Sequence, residues 1–289
     1  MNIKIYIISY NRLTTLRRSV NSYIKLDEIK YKNISIIDTG STYEPLLNYY
    51  EELLGLGVEI TFSKKLLKGP EELNNVANII NTKNQFANLD YYVVTDPDIS
   101  LENSPSNTLK VYISVLNNLK DIEIVGPMLR IQDIPAEYTA RDLCWERHVA
   151  QFWNKTPIKL LISLIGINGE NTPIDIFYQR ARIDTTFGLL HGSTKYKRLL
   201  DGARLYNPYE ALHLDWYFTA QNIPEDQLKY IETCNLNISH WAPWMLLKYK
   251  NDTLSKFKIQ TVERDIDGIY KIYEQELNNH INKPLTPLT

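Results

Sequence analysis

The first hundred residues alternate four times between a short apolar run and a segment with the periodicity of a helix. After the first run, for example, apolar residues recur every three or four positions at Leu13, Leu16 and Val20. Such alternation is typical of an α/β fold in which a mainly parallel, Rossmann-like sheet carries helices on both faces. The four apolar runs are KIYIIS (4–9), NISIID (33–38), VEITF (58–62) and YYVVT (91–95).

Polar residues collect where three of these predicted strands end. The first, second and fourth strands run into SYNR (9–12), DTGS (38–41) and DPD (96–98). The carboxyl ends of parallel strands lie along one edge of a sheet, and ligands of α/β proteins bind in the crevice outside that edge. The sequence therefore predicts a site at this edge.

The DPD segment places Asp96 and Asp98 directly behind a buried strand, with Pro97 between them. Two like charges this close favour a positive partner, and divalent cations such as Mg²⁺ prefer carboxylate oxygens. The alternative is a turn in which both side chains accept hydrogen bonds from backbone amides. These residues alone leave both interpretations open.

Composition bounds the class of protein. A chain of 289 residues with 44% hydrophobic and 23% charged side chains is typical of a soluble globular protein. The net charge of -2 argues against a broad basic surface for nucleic acid. Cys144 and Cys234 form no CxxC motif, which favours a reducing, cytoplasmic setting without a zinc site. The longest apolar run (160–167) is far shorter than the roughly 20 residues of a membrane-spanning helix.

The regular alternation is lost in the second half of the chain. We expect a strand at 122–129, a helix over 141–153, an extended segment at 175–190, a helix near 213–220 and an amphipathic helix at 258–277. The predicted organisation is a nucleotide-binding half (1–130), an acceptor-binding and catalytic half of the same domain (131–250), and a helix with a tail (251–289).

Three segments together resemble a known family. IISYNRLTTLRRSVNSY (7–23), IIDTGST (36–42) and VVTDPDI (93–99) resemble the nucleotide-binding half of the GT-A glycosyltransferases, especially family 2. The resemblance implies a GT-A fold, a nucleotide-diphosphate sugar as donor, UDP-linked if an Asp38–uracil contact forms, and a divalent metal, Mn²⁺ or Mg²⁺. It also implies inverting transfer to a hydroxyl of a glycan or glycolipid acceptor, in glycan or polysaccharide biosynthesis.

The same resemblance implies roles for residues of the first half. Asp98 would bind the metal, and Asp96 would contact the ribose or share the metal through water. Asp38 would accept a hydrogen bond from the base, although it could instead cap the DTGS turn. Thr39 stands where the family often has a second acid, which leaves the identity of the base open. The residues implied around the base and the phosphates are Ser9, Tyr10, Asn11 and Arg12, and Asn74, Asn75 and Asn78 are either donor-binding or solvent-exposed.

In the second half, Asp215 of EALHLDWYF is the candidate general base, because apolar neighbours would raise its pKa. Glu210 and His213 are its alternatives. His240 of NISHWAPW is either a further metal ligand or a packed histidine. Asp184 could face the donor sugar or the acceptor, or belong to a turn. Three tryptophans either stack on a sugar or pack in the core: Trp216, Trp241 and Trp244.

Two other classes of function stay open on the sequence. A metal-dependent nucleotidyltransferase would use a similar sheet, but it usually carries glycines after its first strand, and SYNRLTTLRR has none. A non-catalytic protein that binds a nucleotide sugar would keep the fold. The stretch WAPWMLLKYK (241–250) could rest peripherally against a membrane or pack in the core. The sequence makes no prediction of the oligomeric state.

Overall fold

The computed structural model of the chain describes residues 1–63, 70–138, 140–153, 156–165, 170–219 and 221–234. The strands are β1 (Ile3–Ser9), β2 (Ile34–Asp38), β3 (Glu59–Phe62), β4 (Tyr91–Thr95), β5 (Ile99–Ser100), β6 (Ile124–Pro127), β7 (Ile158–Ile165), β8 (Asn171–Ile183), β9 (Gly188–His191), β10 (Leu200–Leu205) and β11 (Leu212–His213). The α-helices are α1 (Leu13–Tyr23), α2 (Glu44–Gly55), α3 (Pro70–Ala87), α4 (Thr108–Asn118), α5 (Arg141–His148) and α6 (Glu225–Thr233).

Nine strands form one sheet in the order β3-β2-β1-β4-β9-β6-β10-β8-β7. Strands β1 to β4 pair in parallel, as do β6 and β10, whereas β8 and β9 pair antiparallel to their neighbours. Within the described sheet, β8 and β9 therefore run against the direction of the other strands. The predicted fold class, α/β with a mainly parallel sheet, is confirmed.

The side chains of β1 show why helices cover both faces. Successive residues of a strand point to opposite faces. Ile5 and Ile7 belong to a core cluster with residues of α1, α2 and α4, whereas Tyr6 and Ile8 pack in a second cluster with Val76 and Ile80 of α3. The apolar run KIYIIS is therefore buried on both sides, as a central parallel strand should be.

The register brings the three polar strand ends together. Ser9 of β1 lies opposite Asp38 of β2, and Ile7 lies opposite Thr95, the last residue of β4. The segments SYNR, DTGS and DPD thus begin side by side on one edge of the sheet.

The helix predicted near 213–220 is wrong. Leu212 and His213 form the two-residue strand β11, which pairs antiparallel with Ser100 and Ile99 of β5, and a 3₁₀ turn follows at Leu214–Tyr217. The apolar residues whose spacing resembles that of a helix belong to this short strand and to the buried turn that follows it. The other predicted elements within the described ranges appear, and the helix over 141–153 ends in a π-helical turn, Val149–Trp153.

The two predicted halves share the sheet. Strand β9 of the second half lies between β4 and β6 of the first. The amphipathic helix at 258–277, the tail and the stretch WAPWMLLKYK lie outside the described residues. In the described part of the chain, no helix combines the length and hydropathy needed to span a bilayer.

Candidate active site

A cleft of about 270 Å³ opens at the carboxyl ends of β1 and β4. It brings together predicted site residues from both halves of the chain. Those that line it are Ser9, Tyr10, Arg12, Asp96, Asp98, Asp184, His213, Asp215 and Trp216. Asn11 and Asp38 lie behind this surface, each almost fully buried.

The short ladder between β5 and β11 brings Asp98, His213 and Asp215 close together. His213 lies opposite Ile99, and the N–H of Leu214 donates to the carbonyl of Asp98 over 2.7 Å. One ligand atom from each of Asp98, His213 and Asp215 lies within 4.8 Å of the other two. The segments DPD and HLD, over a hundred residues apart in sequence, therefore form one cluster.

Two side chains of helix α1 hold the DPD loop by hydrogen bonds to its backbone. The hydroxyl of Ser19 donates to the carbonyl of Pro97 over 3.0 Å, and the hydroxyl of Tyr23 donates to the carbonyl of Ile99. Both side chains are buried, so the loop that carries Asp98 is held by hydrogen bonds shielded from water. The cluster is consequently built on a preorganised backbone.

Arg12 is a buried cation within this cluster. Its Nη1 donates to Oδ2 of Asp98 over 3.0 Å, and its Nη2 donates to Oδ1 of Asp215. Burial alone would lower the pKa of Arg12, but the two carboxylates raise it above its ordinary value, so the guanidinium stays charged. For Asp98 the effects have the opposite signs. Burial alone would raise the pKa of its carboxyl group, but Arg12, together with His213, lowers that pKa below its ordinary value and keeps Asp98 ionised.

Asp215 is 1% exposed and accepts hydrogen bonds from Arg12 and, over 3.1 Å, from the side chain of Gln227. Burial raises its pKa to about 7, with the repulsion of Asp98 adding to the rise and Arg12 opposing it. A carboxyl group that titrates near neutral pH suits proton transfer. The general-base role of Asp215 stays a prediction with which its cleft position and raised pKa are compatible, and the same carboxylate belongs to the cluster that could hold a metal.

His213 lies beside Asp98 and is stacked on a tryptophan. Its Nδ1 is 3.5 Å from Oδ2 of Asp98, and its ring is parallel to that of Trp216 at a centroid distance of 4.6 Å. Trp216 is fully buried and also meets the edge of His148 at 4.7 Å. Of the two uses predicted for Trp216, its environment matches core packing, and that packing orients His213.

Four side chains of helix α6 contact the start of α1 and the neighbouring Asp215. Asp226 accepts hydrogen bonds from the backbone N–H and the hydroxyl of Thr14, at 2.8 and 2.6 Å. Tyr230 places its ring 4.6 Å from the guanidinium carbon of Arg12. Thr233 accepts a hydrogen bond from Asn11 over 3.0 Å, and Gln227 reaches Asp215. We refer to Asp226, Gln227, Tyr230 and Thr233 as the α6 clamp.

Asp96 lines the cleft but lies outside the cluster of ligating atoms. The hydroxyl of Thr185 donates to its carboxylate, and its backbone N–H donates to the carbonyl of Thr185 over 2.7 Å. Burial and the charge of Asp98 raise its pKa well above the ordinary value. The predicted contact of Asp96 with a ribose or with a metal-bound water stays a prediction.

Asp38 and Asn11 both organise the DTGS turn. Asp38 accepts from the N–H groups of Gly40 and Ser41, each over 2.9 Å, and from the hydroxyl of Tyr50 over 2.8 Å. Asn11, at a φ of 48°, accepts from the N–H groups of Thr42 and Tyr43. These bonds match the turn-capping alternative for Asp38. Its predicted contact with a base would use a carboxylate that already has these donors.

The remaining predicted residues are not found among those that line the cleft. Asn74, Asn75 and Asn78 are exposed on α3. Glu210 is buried, with a pKa raised by burial to about 7, but it does not line the cleft. His240, Trp241 and Trp244 lie outside the described residues.

Other cleft residues escaped the sequence prediction. Arg204 is 4% exposed, donates to the carbonyls of Arg182 and Pro127, and has Nη2 3.8 Å from Oδ1 of Asp184. His148 also lines the cleft, and burial lowers its pKa to about 3. Arg204 belongs to a strand and His148 to a helix end, and neither carries a local motif.

The residues present fit a divalent cation. Oδ1 of Asp98 is buried and has no hydrogen-bond partner among the described residues, and the same holds for Nδ1 of His213. Buried polar atoms without partners are costly, and a metal ion would satisfy both. Carboxylate and imidazole ligands suit Mn²⁺, and Mg²⁺ favours oxygen.

No protein-family model matches this chain, and no curated protein matches it. Several solved structures align with this chain at low identity. A crystal structure of GalNAc-T7 with UDP, GalNAc and Mn²⁺ is 20% identical over 45% of this chain and 23% of its own, with a TM-score of 0.33. S. aureus TarS 1-349 with UDP-GlcNAc is 12% identical over 97% of this chain and 73% of its own, with a TM-score of 0.43.

This chain covers 46% of a longer TarS chain. A cytidylyltransferase from Leptospira borgpetersenii is 14% identical over 47% of this chain and 57% of its own, with a TM-score of 0.31. Each of these likenesses lies below 25% identity and below a TM-score of 0.5. A function for this chain therefore has to be inferred from its own residues.

Proposed function

We propose that this chain is a metal-assisted glycosyltransferase that moves a sugar from a nucleotide-diphosphate sugar, UDP-linked, to a hydroxyl of a glycan or glycolipid, with inversion. The observation that carries the proposal is the meeting of Asp98 with His213 and Asp215 in a cleft lined by the SYNR strand end. The motifs resemble the family in sequence, and Ser9, Arg12 and Asp98 from two of them line the same cleft.

In this proposal Asp98 and His213 would hold the divalent cation. When bound, the metal would offset the negative charge that develops on the leaving diphosphate. Asp98 suits this role because Arg12 keeps it ionised and because its Oδ1 has no protein partner among the described residues. His240, which lies outside the described residues, remains a further candidate ligand.

Asp215 is the proposed base. Transfer with inversion forms a bond between the acceptor oxygen and the anomeric carbon while the bond to the diphosphate breaks, and the acceptor hydroxyl loses its proton. The carboxylate of Asp215 would take that proton. Its pKa of about 7 lets it accept a proton at neutral pH and release it afterwards.

Ser9, Tyr10 and Arg12 line the side of the cleft where β1 ends, and we assign the donor to this side. Asp96 would contact its ribose. Asp184, whose side chain is 45% exposed, lies across the cleft beside Arg204 and is available to the sugar or to the acceptor.

The test is incubation of the full chain with a panel of nucleotide sugars, a panel of glycan and glycolipid acceptors, and Mn²⁺, with release of nucleoside diphosphate as the readout. We expect UDP release from at least one UDP-sugar, and loss of that release in Asp98→Asn with the fold intact by circular dichroism. Full activity of Asp98→Asn in the presence of a chelator would contradict the metal role.

The same assay separates the alternative functions. A nucleotidyltransferase would release pyrophosphate from a nucleoside triphosphate and a sugar phosphate, and would leave nucleotide sugars unchanged in the absence of pyrophosphate. A non-catalytic binding protein would bind a nucleotide sugar and release nothing. Either result would overturn the proposed function.

A further inference from the structure

The guanidinium of Arg12 contacts two of the three side chains that form the candidate metal site. It lies 3.0 Å from Asp98, contacts Asp215, and belongs to a residue that is only 5% exposed. Part of the positive charge that a metal would bring is thus already supplied by a side chain.

A divalent cation in the same cluster would conflict with this arrangement. Two carboxylates balance two positive charges, whereas Arg12 and a divalent cation together bring three. Like charges repel strongly in a buried site, because little water is present to screen them. While Arg12 keeps both contacts, the affinity of the cluster for a metal is therefore expected to be low.

The diphosphate of a donor would change this balance. It adds negative charge, and phosphate oxygens accept paired hydrogen bonds from a planar guanidinium as well as a carboxylate does. With a diphosphate present, the metal and Arg12 can both be neutralised.

We propose that Arg12 couples metal binding to donor binding. In the free protein it pairs with Asp98 and Asp215 and offsets part of their negative charge, and it transfers to the diphosphate when the metal and the donor enter together. The inference rests on the proposed function, since it needs a diphosphate in the cleft. It also implies that the donor releases Asp215 for its role as the base.

The surroundings of Arg12 permit such a transfer. Its Nε has no hydrogen-bond partner among the described residues, so the guanidinium is held through Nη1 and Nη2 alone. The ring of Tyr230 lies 4.6 Å from the guanidinium carbon and also lines the cleft. A cation can remain over the face of such a ring after it leaves the carboxylates.

The test is the affinity of the purified full chain for Mn²⁺ at pH 8, measured by isothermal titration calorimetry with and without UDP. For the wild type we expect weak binding of Mn²⁺ alone and at least tenfold tighter binding with UDP. Arg12→Gln should bind Mn²⁺ alone at least tenfold more tightly than the wild type, and UDP should then add little. Affinities coupled in this way change reciprocally, so Mn²⁺ should tighten UDP binding equally.

Arg18→Gln is the matched control. It removes an arginine from the same helix whose partner is Glu102, with Nε to Oε2 at 2.6 Å, and whose side chain is 44% exposed. Its Mn²⁺ affinity should equal that of the wild type. Arg12→Lys keeps the charge but cannot bridge two carboxylates as a planar fork does, so its gain should be smaller than that of Arg12→Gln.

Arg12→Gln binding Mn²⁺ no more tightly than the wild type, or wild-type affinity independent of UDP, would overturn the inference. If Arg12→Gln does not fold, the wild type decides, and an affinity for Mn²⁺ that does not change with UDP is then the adverse result. The titration with Mn²⁺ alone measures binding and does not depend on turnover. A gain in Arg12→Gln with no nucleoside diphosphate release from any nucleotide sugar would overturn the proposed function while supporting the cation competition.

Discussion

At the scale of single residues, the cleft is a balance of buried charges. Asp98 and Asp215 carry the negative charge, Arg12 neutralises part of it, and burial lowers the pKa of His213. Side chains with unusual pKa values and specific partners, gathered in a cleft, mark functional sites more often than structural ones. The sequence identified the two aspartates by their motifs and by their apolar neighbours, but it could not show that Arg12 lies between them.

The first prediction concerns Asp215. At saturating Mn²⁺, Asp215→Asn should leave the affinity for the donor nearly unchanged and slow transfer by roughly 10²- to 10⁴-fold, the usual contribution of a positioned base. The amide can still accept a hydrogen bond from Gln227 and Arg12, so the fold should persist. Melting temperature, donor affinity and single-turnover rate on this variant provide the measurement.

Two other outcomes would contradict that assignment. Because Asp215 lies within 4.8 Å of the ligand atoms of Asp98 and His213, it could bind the metal instead, and then Asp215→Asn would weaken Mn²⁺ and donor binding together. Normal turnover per folded molecule would remove Asp215 from the chemistry altogether. Asp184 would then be the next carboxylate to test, since Glu210 does not line the cleft.

The second prediction concerns His148 and acid stability. Burial lowers the pKa of His148 to about 3, whereas an unfolded chain binds a proton at this residue near pH 6.5. A lowered histidine pKa contributes stability that is fully present above pH 6.5 and is lost as the pH falls towards 3. One such group changes the free energy of unfolding by up to about 1.4 kcal/mol per pH unit.

His148→Gln should therefore flatten the fall in unfolding free energy between pH 6.5 and 5, measured by urea denaturation. His191, which is only half-buried, gives the control His191→Gln, with a smaller change in slope. A slope identical to that of the wild type in His148→Gln would mean that His148 is already charged in the folded protein.

At the scale of elements, the central strands were predictable and the elements that complete the site were not. The runs of β1, β2 and β4 are apolar on both faces, so their burial is visible in the sequence. Strand β11 is two residues long and exists because β5 lies beside it. Helix α6 is short, and its role follows from contacts with residues more than 200 positions away, which no local pattern records.

The α6 clamp gives the third prediction. Arg12, at the N-cap position of α1, makes no side-chain capping bond, and Asp226 of α6 supplies one to Thr14 instead. Asp226→Ala should cost about 1 to 2 kcal/mol of unfolding free energy, the usual loss for a helix cap. It should also lower turnover, because Tyr230 and Gln227 would lose their hold on Arg12 and Asp215.

The neighbouring, exposed Glu225 offers the control. Glu225→Ala should change the unfolding free energy by no more than about 0.5 kcal/mol and should leave turnover unchanged. Urea denaturation and donor turnover on both variants make the comparison. An Asp226→Ala protein as stable and active as Glu225→Ala would show that the clamp does not position the site.

At the scale of the whole molecule, the sheet makes one unit of what the sequence divides at residue 130. Strand β6 lies before that boundary, yet its neighbours in the sheet, β9 and β10, both come from the second half. Strand β4 likewise pairs with β9 on one side. A pattern of apolar runs predicts strands, but it does not show which strands become neighbours, so this interleaving could not be anticipated.

The last prediction follows from that interleaving. The full chain should lose the structure reported by tryptophan fluorescence and by far-ultraviolet circular dichroism in one coincident urea transition. The two probes are independent, because every tryptophan lies beyond residue 144 whereas strands and helices occur in both halves. A fragment of residues 1–130 should lack a cooperative transition, because it leaves β4 with an open edge and β6 with no partner strand. Two separate transitions in the full chain, or cooperative unfolding of the fragment, would mean that the nucleotide-binding half is an independent domain and that the cleft forms when two prefolded units dock.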